Sequence, residues 1–266
     1  MKPFSIMRWN AVPLVLVACR AAQPAPSAEG RPPSGSASAS AAPSRSAQPL
    51  GDAQQALLEH EPHTPEHHHG AQGYHMDFSD VERLARHFDS PDRDAWQKPA
   101  EVVRLLDLRP GHVVADIGAG TGYFLPHWSK AVGNRGRVLA LDVEPNMVEY
   151  MNRRVRQAGW TNVEPRIVKA DDPNLSPESV DRIVIVDTWH HIDDRGMYAA
   201  KLARALRSSG SLLIVDFTRE SDMGPPAEHR LAPEQVVREL ESGGLRAQIV
   251  QTETLPKQYV VRGEKR

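Results

Sequence analysis

The sequence predicts an α/β fold in which a doubly wound, mostly parallel sheet carries helices on both faces. Three observations lead to this fold class. Short, continuously apolar runs recur after residue 112, as expected of strands that are covered on both faces. Segments with apolar residues at helical spacing separate these runs, which is the alternation typical of a parallel sheet. Without its low-complexity beginning the chain keeps about 200 residues, the size of one such domain.

The first predicted strand, residues 113–117, runs into a glycine-rich turn. Gly118, Gly120 and Gly122 stand at alternate positions. Glycine lets the backbone approach a ligand closely and adopt angles that a side chain forbids. In doubly wound sheets, ligands bind at such strand-to-helix turns. We therefore expect the ligand site at this turn.

The turn departs from the dinucleotide-binding pattern. That pattern, Gly-x-Gly-x-x-Gly, needs a third glycine where this chain has Tyr123 or Leu125, which disfavours an NAD(P)-dependent oxidoreductase. Asp116, just before the turn, would repel a pyrophosphate and suits a ligand that carries an ammonium and a sulfonium. The stretch from Asp116 to Gly122 resembles motif I of the class I S-adenosylmethionine-dependent methyltransferases, Asp-x-Gly-x-Gly-x-Gly.

This resemblance implies S-adenosylmethionine as the cofactor and a Rossmann-like methyltransferase fold. It places the methionine moiety against the side chain of Asp116 and against the backbone of the turn. The turn residues concerned are Gly118, Ala119, Gly120 and Gly122. Methyl transfer is an in-line displacement, so an enzyme of this kind mainly orients its two substrates.

Two further predicted strands also end in acids. The second, residues 138–142, ends in Asp142, whose carboxylate either accepts hydrogen bonds from both ribose hydroxyls or caps the following helix. The third, residues 163–172, leaves two acids at its end. The resemblance implies that one of them contacts the adenine amino group, and we favour Asp171 over Asp172.

The fourth strand, residues 182–186, continues into Asp187 and the segment Thr-Trp-His-His-Ile-Asp-Asp. This segment resembles the Leu-His-His-Ile-x-Asp sequence found after the fourth strand of many small-molecule methyltransferases, with Trp189 in place of leucine. We assign Asp187 to the cofactor. His190 or His191 is a candidate general base for an acceptor that must lose a proton. Alternatively, one histidine packs under the sheet and the other caps the next helix.

The remaining elements complete the outline of a seven-stranded sheet. They are a helix at 198–206, a fifth strand at 211–217, a helix at 233–240 and a final antiparallel pair at 247–252 and 258–261. The loop at 218–232 follows the fifth strand, in a position where substrate contacts are common. His229 and Arg230 are therefore acceptor-side candidates. The alternative for His229 is a solvated loop histidine without a role.

The residues upstream of the first strand predict a helical lid. Ser79-Asp80-Val81-Glu82 forms a capping box that opens an amphipathic helix, and another helix spans 101–106. In the family that the motifs resemble, this region covers the cofactor and contributes to the acceptor pocket. Trp96 is either a wall of that pocket or a residue that packs the lid against the sheet.

Residues 1–19 predict a lipoprotein signal peptide. A charged n-region precedes a compact apolar run at 11–18, which is too short to span a bilayer. Leu16-Val17-Ala18-Cys19 resembles a bacterial lipobox, in which the cysteine is acylated, and Cys19 is the one cysteine of the sequence. We expect a lipoprotein that is anchored to a membrane on its periplasmic side. The alternative is a misassigned start codon before a cytoplasmic enzyme.

Two low-complexity segments follow. Residues 20–58 are rich in Ala, Pro and Ser and cannot bury a core, so they predict a flexible tether. Residues 59–76 contain six histidines between His60 and His75, a density at which imidazoles bind zinc, copper or nickel. The fixed spacing of a structural metal site is missing, and we expect adventitious binding of divalent metals. The methyltransferase-like domain then spans 77–262.

Charge and composition narrow the function. The net charge of −2, with acids and bases interspersed, gives no phosphate-tracking stripe, so nucleic acid is not an expected partner. An acylated Cys19 leaves no thiol for arsenite, which argues against the arsenite methyltransferases. The main hypothesis is a methyltransferase with a small-molecule or lipid-like acceptor. The alternative is an extracytoplasmic metal- or ligand-binding lipoprotein on the same fold without catalysis, because the cofactor is made in the cytoplasm and the leader predicts export.

Overall fold

The computed structural model describes residues 80–250 and 253–266, and these form a seven-stranded sheet in the order β3-β2-β1-β4-β5-β7-β6. The strands are β1 Val113–Ile117, β2 Arg137–Asp142, β3 Val163–Ile167, β4 Val180–Val186, β5 Leu206–Phe217, β6 Leu245–Val250 and β7 Gln258–Lys265. Strands β1 to β5 pair in parallel, and β7 runs antiparallel to both of its neighbours. The predicted doubly wound, mostly parallel sheet is confirmed.

Helices cover both faces of this sheet. They are α1 Val81–Phe88, α2 Arg93–Gln97, α3 Pro99–Leu106, α4 Leu125–Val132, α5 Pro145–Ala158, α6 Arg195–Ala205 and α7 Pro233–Ser242. Alternate residues of each strand enter opposite cores, as the two-residue period of a strand requires. In β2, Leu139 joins the core beneath α6 and α7, while Ala140 joins the core beneath α3, α4 and α5. Both faces are therefore buried, which is why the strands are continuously apolar.

Several boundaries differ from the prediction by a few residues, and three of these differences are described below. We predicted that Asp171 and Asp172 lie at the end of the third strand. Strand β3 ends at Ile167, and both acids lie beyond it, at a turn. The reason is its partner: Ile167 pairs with Asp142, the last residue of β2, and no strand continues beyond that pair. Strand β5 begins at Leu206, which was predicted to end the preceding helix and instead pairs with Val180.

The third difference concerns the start of α1. Asp80 is the N-cap residue, and its carboxylate accepts a hydrogen bond from the Arg83 backbone N–H at 3.0 Å. Ser79, which the predicted capping box includes, lies outside the described residues, as do the leader with Cys19, the tether and the segment from His60 to His75. Within residues 80–250 and 253–266, no helix is long and apolar enough to cross a membrane.

Candidate functional site

The glycine-rich turn after β1 adopts backbone angles that only glycine takes easily. Gly118, Gly120 and Gly122 have φ values of +72°, +57° and +81°. A Cβ on Gly118 would lie 2.4 Å from the Thr188 side chain, and one on Gly122 would lie 2.5 Å from Leu125. A Cβ on Gly120 would meet no atom within 4 Å. Gly118 and Gly122 therefore allow the turn to pack closely against neighbouring side chains, whereas Gly120 borders open space.

Asp142, at the end of β2, contacts this turn directly. Its Oδ2 accepts a hydrogen bond from the Gly120 N–H at 2.7 Å, and its Oδ1 accepts one from the Glu144 N–H at 3.0 Å. Burial raises the pKa of the Asp142 carboxyl, and the two backbone N–H groups oppose that shift. The N-cap residue of α5 is Glu144, so Asp142 does not cap that helix, and each of its carboxylate oxygens keeps a further lone pair for a ribose hydroxyl.

Asp116 lies in β1 and is almost fully buried, with 4% of its surface exposed. The Trp128 indole N–H donates to its Oδ2 at 2.9 Å, a contact from α4 that the sequence did not indicate. Burial raises the pKa of Asp116 to about 7, and the neighbouring Asp142 charge acts in the same direction. A cationic group arriving at this position would favour the ionised carboxylate.

The region before β1 lies against the glycine turn, as expected of a lid. The Thr121 hydroxyl donates to Asp89 Oδ1 at 3.0 Å. Arg154 of α5 donates through Nη1 both to Asp89 Oδ2, at 3.0 Å, and to the Thr121 carbonyl, at 2.8 Å. The Tyr123 hydroxyl donates to Asp94, beside α2 residue Arg93. Side chains of the lid therefore bond to the turn itself.

A polar network that sequence reasoning missed joins the lid to the sheet. Arg93 donates through Nε and Nη2 to Gln97 Oε1, at 3.2 and 3.0 Å. Gln97 Nε2 donates to Gln258 Oε1 at 2.8 Å, and Gln258 Nε2 donates to Asp187 Oδ1 at 2.5 Å. Gln97 and Gln258 are 161 residues apart, and no motif marks either of them. The one sequence signal was polar Gln97 next to Trp96 in the predicted lid.

Asp187 follows β4 and completes this edge of the sheet. Its φ of +53° is unusual for a residue with a side chain. Burial raises its pKa to about 7, the Arg93 charge opposes the shift, and the nearby Asp216 charge adds to it. The predicted cofactor residues Asp116, Asp142 and Asp187 thus all border the carboxyl edge of the parallel strands, where such sheets bind ligands.

The two candidate histidines occupy a 3₁₀ turn, Trp189–His191. The His190 Nδ1 lies 2.9 Å from both carboxylate oxygens of Asp216, and His190 is only 4% exposed. This contact with the Asp216 carboxylate fixes the orientation of the His190 ring. The His191 ring, which is half-buried, lies 4.2 Å from that of His190 between centroids. His190 is the buried member of the pair, and His191 is the more accessible one.

The other predicted contacts are more peripheral. Asp171 is exposed, and Lys201 donates to its backbone carbonyl. Asp172 Oδ1 accepts a hydrogen bond from the Asn174 N–H at 2.8 Å. His229 is exposed, in a second 3₁₀ turn. The structure does not bring these side chains into the cluster formed by the three strand-end acids.

The structure shows hydrogen bonds for Arg230 and an aromatic contact for Trp96. Arg230 is used by its own loop: its guanidinium donates to four backbone carbonyls, those of Thr218, Arg219, Ser221 and Pro225. Trp96 packs on Phe217, with ring centroids 5.8 Å apart, at the point where β5 ends. This aromatic pair lies between the lid and the sheet, so both interpretations of Trp96 remain compatible with its position. In the described part of the chain, no group of three His, Cys, Asp or Glu residues could hold a metal ion.

Comparisons with known proteins agree with the fold described above. A family model described as a methyltransferase domain matches residues 114–210. A solved S-adenosylmethionine-dependent methyltransferase from Aquifex aeolicus is 31% identical, with a TM-score of 0.65, and the match covers 71% of this chain and 98% of that one. A phosphoethanolamine N-methyltransferase 2 from Haemonchus contortus, solved with phosphomonomethylethanolamine and S-adenosylhomocysteine, shares the fold at 14% identity and a TM-score of 0.55, over 72% of this chain and 60% of that chain.

Curated relatives match a shorter part of the chain. The ubiquinone/menaquinone biosynthesis C-methyltransferase of Hydrogenovibrio crunogenus is 27% identical over 125 residues, 47% of this chain and 48% of the relative. The protein of the same description from Teredinibacter turnerae is also 27% identical over 125 residues. The chain therefore spans about half the length of the curated relatives it matches.

Proposed function

The chain belongs to the class I S-adenosylmethionine-dependent methyltransferases, and we propose that it transfers a methyl group to a small-molecule or lipid-like acceptor. The observation that carries this proposal is the open space beside Gly120, next to the buried Asp142 carboxylate. That arrangement fits the ribose of S-adenosylmethionine, the cofactor of this family. When bound, the cofactor supplies an electrophilic methyl group on a sulfonium.

The carboxylates near the glycine-rich turn support the binding of S-adenosylmethionine at this position. Asp116 is a buried carboxylate and Asp187 a mostly buried one, and the pKa values of both are raised. We assign Asp116, with the backbone from Gly118 to Gly122, to the methionine moiety and Asp142 to the ribose. Asp187 would lie toward the positive sulfonium, whose charge stabilises an ionised carboxylate. Asp171, exposed and beyond β3, remains our assignment for the adenine amino group.

The aromatic pair Trp96 and Phe217 supports an acceptor with an apolar ring or chain. Both rings lie at the end of β5. This strand pairs with β4, which Asp187 follows. Aromatic faces bury large apolar area and suit planar or lipid-like ligands. The curated relatives named for ubiquinone and menaquinone biosynthesis are consistent with such an acceptor. We do not expect nucleic acid as the acceptor.

We propose different roles for the two histidines. His191, the more accessible of the two, accepts a proton from the acceptor, while His190 is held by Asp216 and positions it through their ring contact. His229, exposed on the loop after β5, contacts the outer part of the acceptor. His191→Ala should lower turnover at least tenfold and leave cofactor affinity nearly unchanged. Equal losses of turnover and affinity would instead assign His191 a structural role.

The test of the function uses the full chain in two steps. Calorimetric titration with S-adenosylmethionine and S-adenosylhomocysteine, in the presence of a chelator, should show binding near micromolar Kd. Labelled S-adenosylmethionine is then incubated with quinols, phenols, amines and a lipid extract, and the labelled product is identified. Absence of cofactor binding, with stoichiometric zinc uptake by the same protein, would contradict the proposal. That result would restore the alternative of a non-catalytic binding lipoprotein, which the comparisons do not favour.

A further inference from the structure

Arg93 is a mostly buried arginine with N–H donors that have no acceptor in the described part of the chain. Its side chain keeps 13% exposure, and a guanidinium carries five N–H groups. Nε and Nη2 donate to Gln97 Oε1, and Nη1 donates to the Phe88 carbonyl at 2.9 Å. The two further N–H groups, one on each terminal nitrogen, have no acceptor within residues 80–250 and 253–266.

The nearest carboxylate does not satisfy these donors. Asp187 Oδ2 lies 3.7 Å from Arg93 Nη2, which makes an ion pair but exceeds a hydrogen-bond distance. The other oxygen of Asp187 is already bonded to Gln258. The guanidinium carbon lies 4.1 Å from the centroid of the Tyr123 ring, and Tyr123 directly follows the last glycine of the turn. A positive charge is thus held beside the cofactor turn, with a deficit of hydrogen bonds.

A ligand carboxylate fits that deficit. Buried donors without acceptors are costly, and a carboxylate is the group that receives paired N–H donors from arginine most favourably. S-adenosylmethionine has one carboxylate, at the methionine end that we assign to Asp116 and the glycine turn. Its ammonium is compatible with Asp116 but not with Arg93, because like charges repel. The ammonium and the carboxylate of the methionine moiety are therefore each matched by a protein group of opposite charge, Asp116 and Arg93 respectively.

We propose that Arg93 binds the carboxylate of the cofactor's methionine moiety and makes cofactor selection depend on that group. This inference rests on the proposed function. The groups that orient Arg93, the Phe88 carbonyl and the Gln97 amide, belong to α1 and α2, so the lid supplies the recognition. A nucleoside that lacks the carboxylate would leave the two N–H groups unpaired.

The test compares two ligands that differ by this carboxylate alone. S-adenosyl-3-thiopropylamine keeps the adenosine, sulfur and amine of S-adenosylhomocysteine and lacks its carboxylate. Calorimetry on the full chain should give about ten- to hundredfold tighter binding of S-adenosylhomocysteine. Arg93→Gln should abolish this ratio. Arg153→Gln, which removes an exposed arginine that pairs with Glu82 between α5 and α1, is the matched control and should preserve it.

The outcomes separate the proposals. If Arg93→Gln weakens both ligands by the same factor, Arg93 only supports the lid and the inference is wrong. Equal affinity of the unaltered protein for the two ligands would also overturn it, while leaving the proposed function intact. Failure of the unaltered protein to bind S-adenosylhomocysteine would contradict both this inference and the proposed function. Should Arg93→Gln not fold, Arg93→Lys keeps the charge but loses the paired donors, and the ligand ratio should still fall severalfold.

Discussion

Two buried carboxylates, Asp116 and Asp142, and the mostly buried Asp187 lie along the carboxyl edge of the sheet, and their charge state affects which ligands this edge can bind. Burial raises the pKa of Asp116 and of Asp187 to about 7 and raises that of Asp142 as well. Near neutral pH, Asp116 and Asp187 of the free protein therefore retain protons that ordinary carboxyls would have lost. A ligand with an ammonium and a sulfonium favours the ionised forms, so cofactor affinity should rise with pH through neutrality.

Asp116→Asn tests this charge state through stability. The folded-state pKa of Asp116 is about 7 against an ordinary 3.8, so the unfolded chain releases the proton first as pH rises. The associated stability is fully present below about pH 4 and is lost as pH rises through 7. The asparagine, an uncharged isostere, should therefore be more stable than the unaltered protein at pH 8.5, on the order of a few kcal/mol, and similar at pH 4. Denaturant titrations at both pH values measure the difference, and a pH-independent difference would contradict the assignment.

Asp142→Ala tests the ribose contact. Removal of this carboxylate deletes the expected acceptor of the ribose hydroxyls, and we predict a loss of about 1–3 kcal/mol in cofactor binding free energy by calorimetry. The control is Asp107→Ala, because that carboxylate pairs with Arg109 at 3.0 Å and with Arg182 near the start of β4 at 3.3 Å, away from the predicted cofactor residues. An unchanged cofactor affinity in Asp142→Ala would exclude the ribose role.

At the scale of elements, the sequence predicted those features that depend on local pattern. The apolar runs located β1, β2 and β4, because burial on both faces requires continuous hydrophobicity. Boundaries set by a distant partner were wrong. Strand β3 stops where β2 stops, and β5 begins early because Leu206 finds Val180 across the sheet. Pairing partners of this kind leave no local sequence signal.

The candidate site divides in the same way. Asp116, Asp142 and Asp187 were identified because each lies at or near the end of a recognisable strand. Arg93 and Gln258 were not, because their contact through Gln97 joins segments 161 residues apart and depends on β7 folding back beside β5. Contacts created by topology therefore required the structure, while contacts at strand ends could be read from the chain.

The glycine-rich turn can be tested by a substitution at Gly120, and Gly159, which has a similar φ, provides a matched control. Gly120→Ala puts a side chain at φ +57° into open space, which should cost about 1–2 kcal/mol of stability and, in addition, obstruct the cofactor. Gly159→Ala, at φ +66° after α5 and also facing open space, should cost similar stability without affecting the cofactor. Thermal unfolding and calorimetry of both variants make the comparison. Equal cofactor affinities would show that Gly120 does not border the cofactor.

At the scale of the whole molecule, the cofactor and the leader point to different compartments. The domain binds a cofactor made in the cytoplasm, whereas residues 1–19 predict export and acylation of Cys19. We propose a membrane-anchored lipoprotein on the periplasmic side, with residues 20–58 as a tether. The proposal requires a supply of cofactor outside the cytoplasm, so the location of the protein decides how its activity is sustained.

Cys19→Ser tests the location directly. In a bacterial host grown with labelled palmitate, the unaltered protein should carry label and sediment with membranes, because acyl chains on Cys19 are the expected anchor. The serine variant should lose both properties. Deletion of residues 59–76 is the control and should keep them, since the histidines from His60 to His75 have no role in acylation. An unlabelled, soluble protein in every case would favour a misassigned start codon, and the methyltransferase would then act where its cofactor is made.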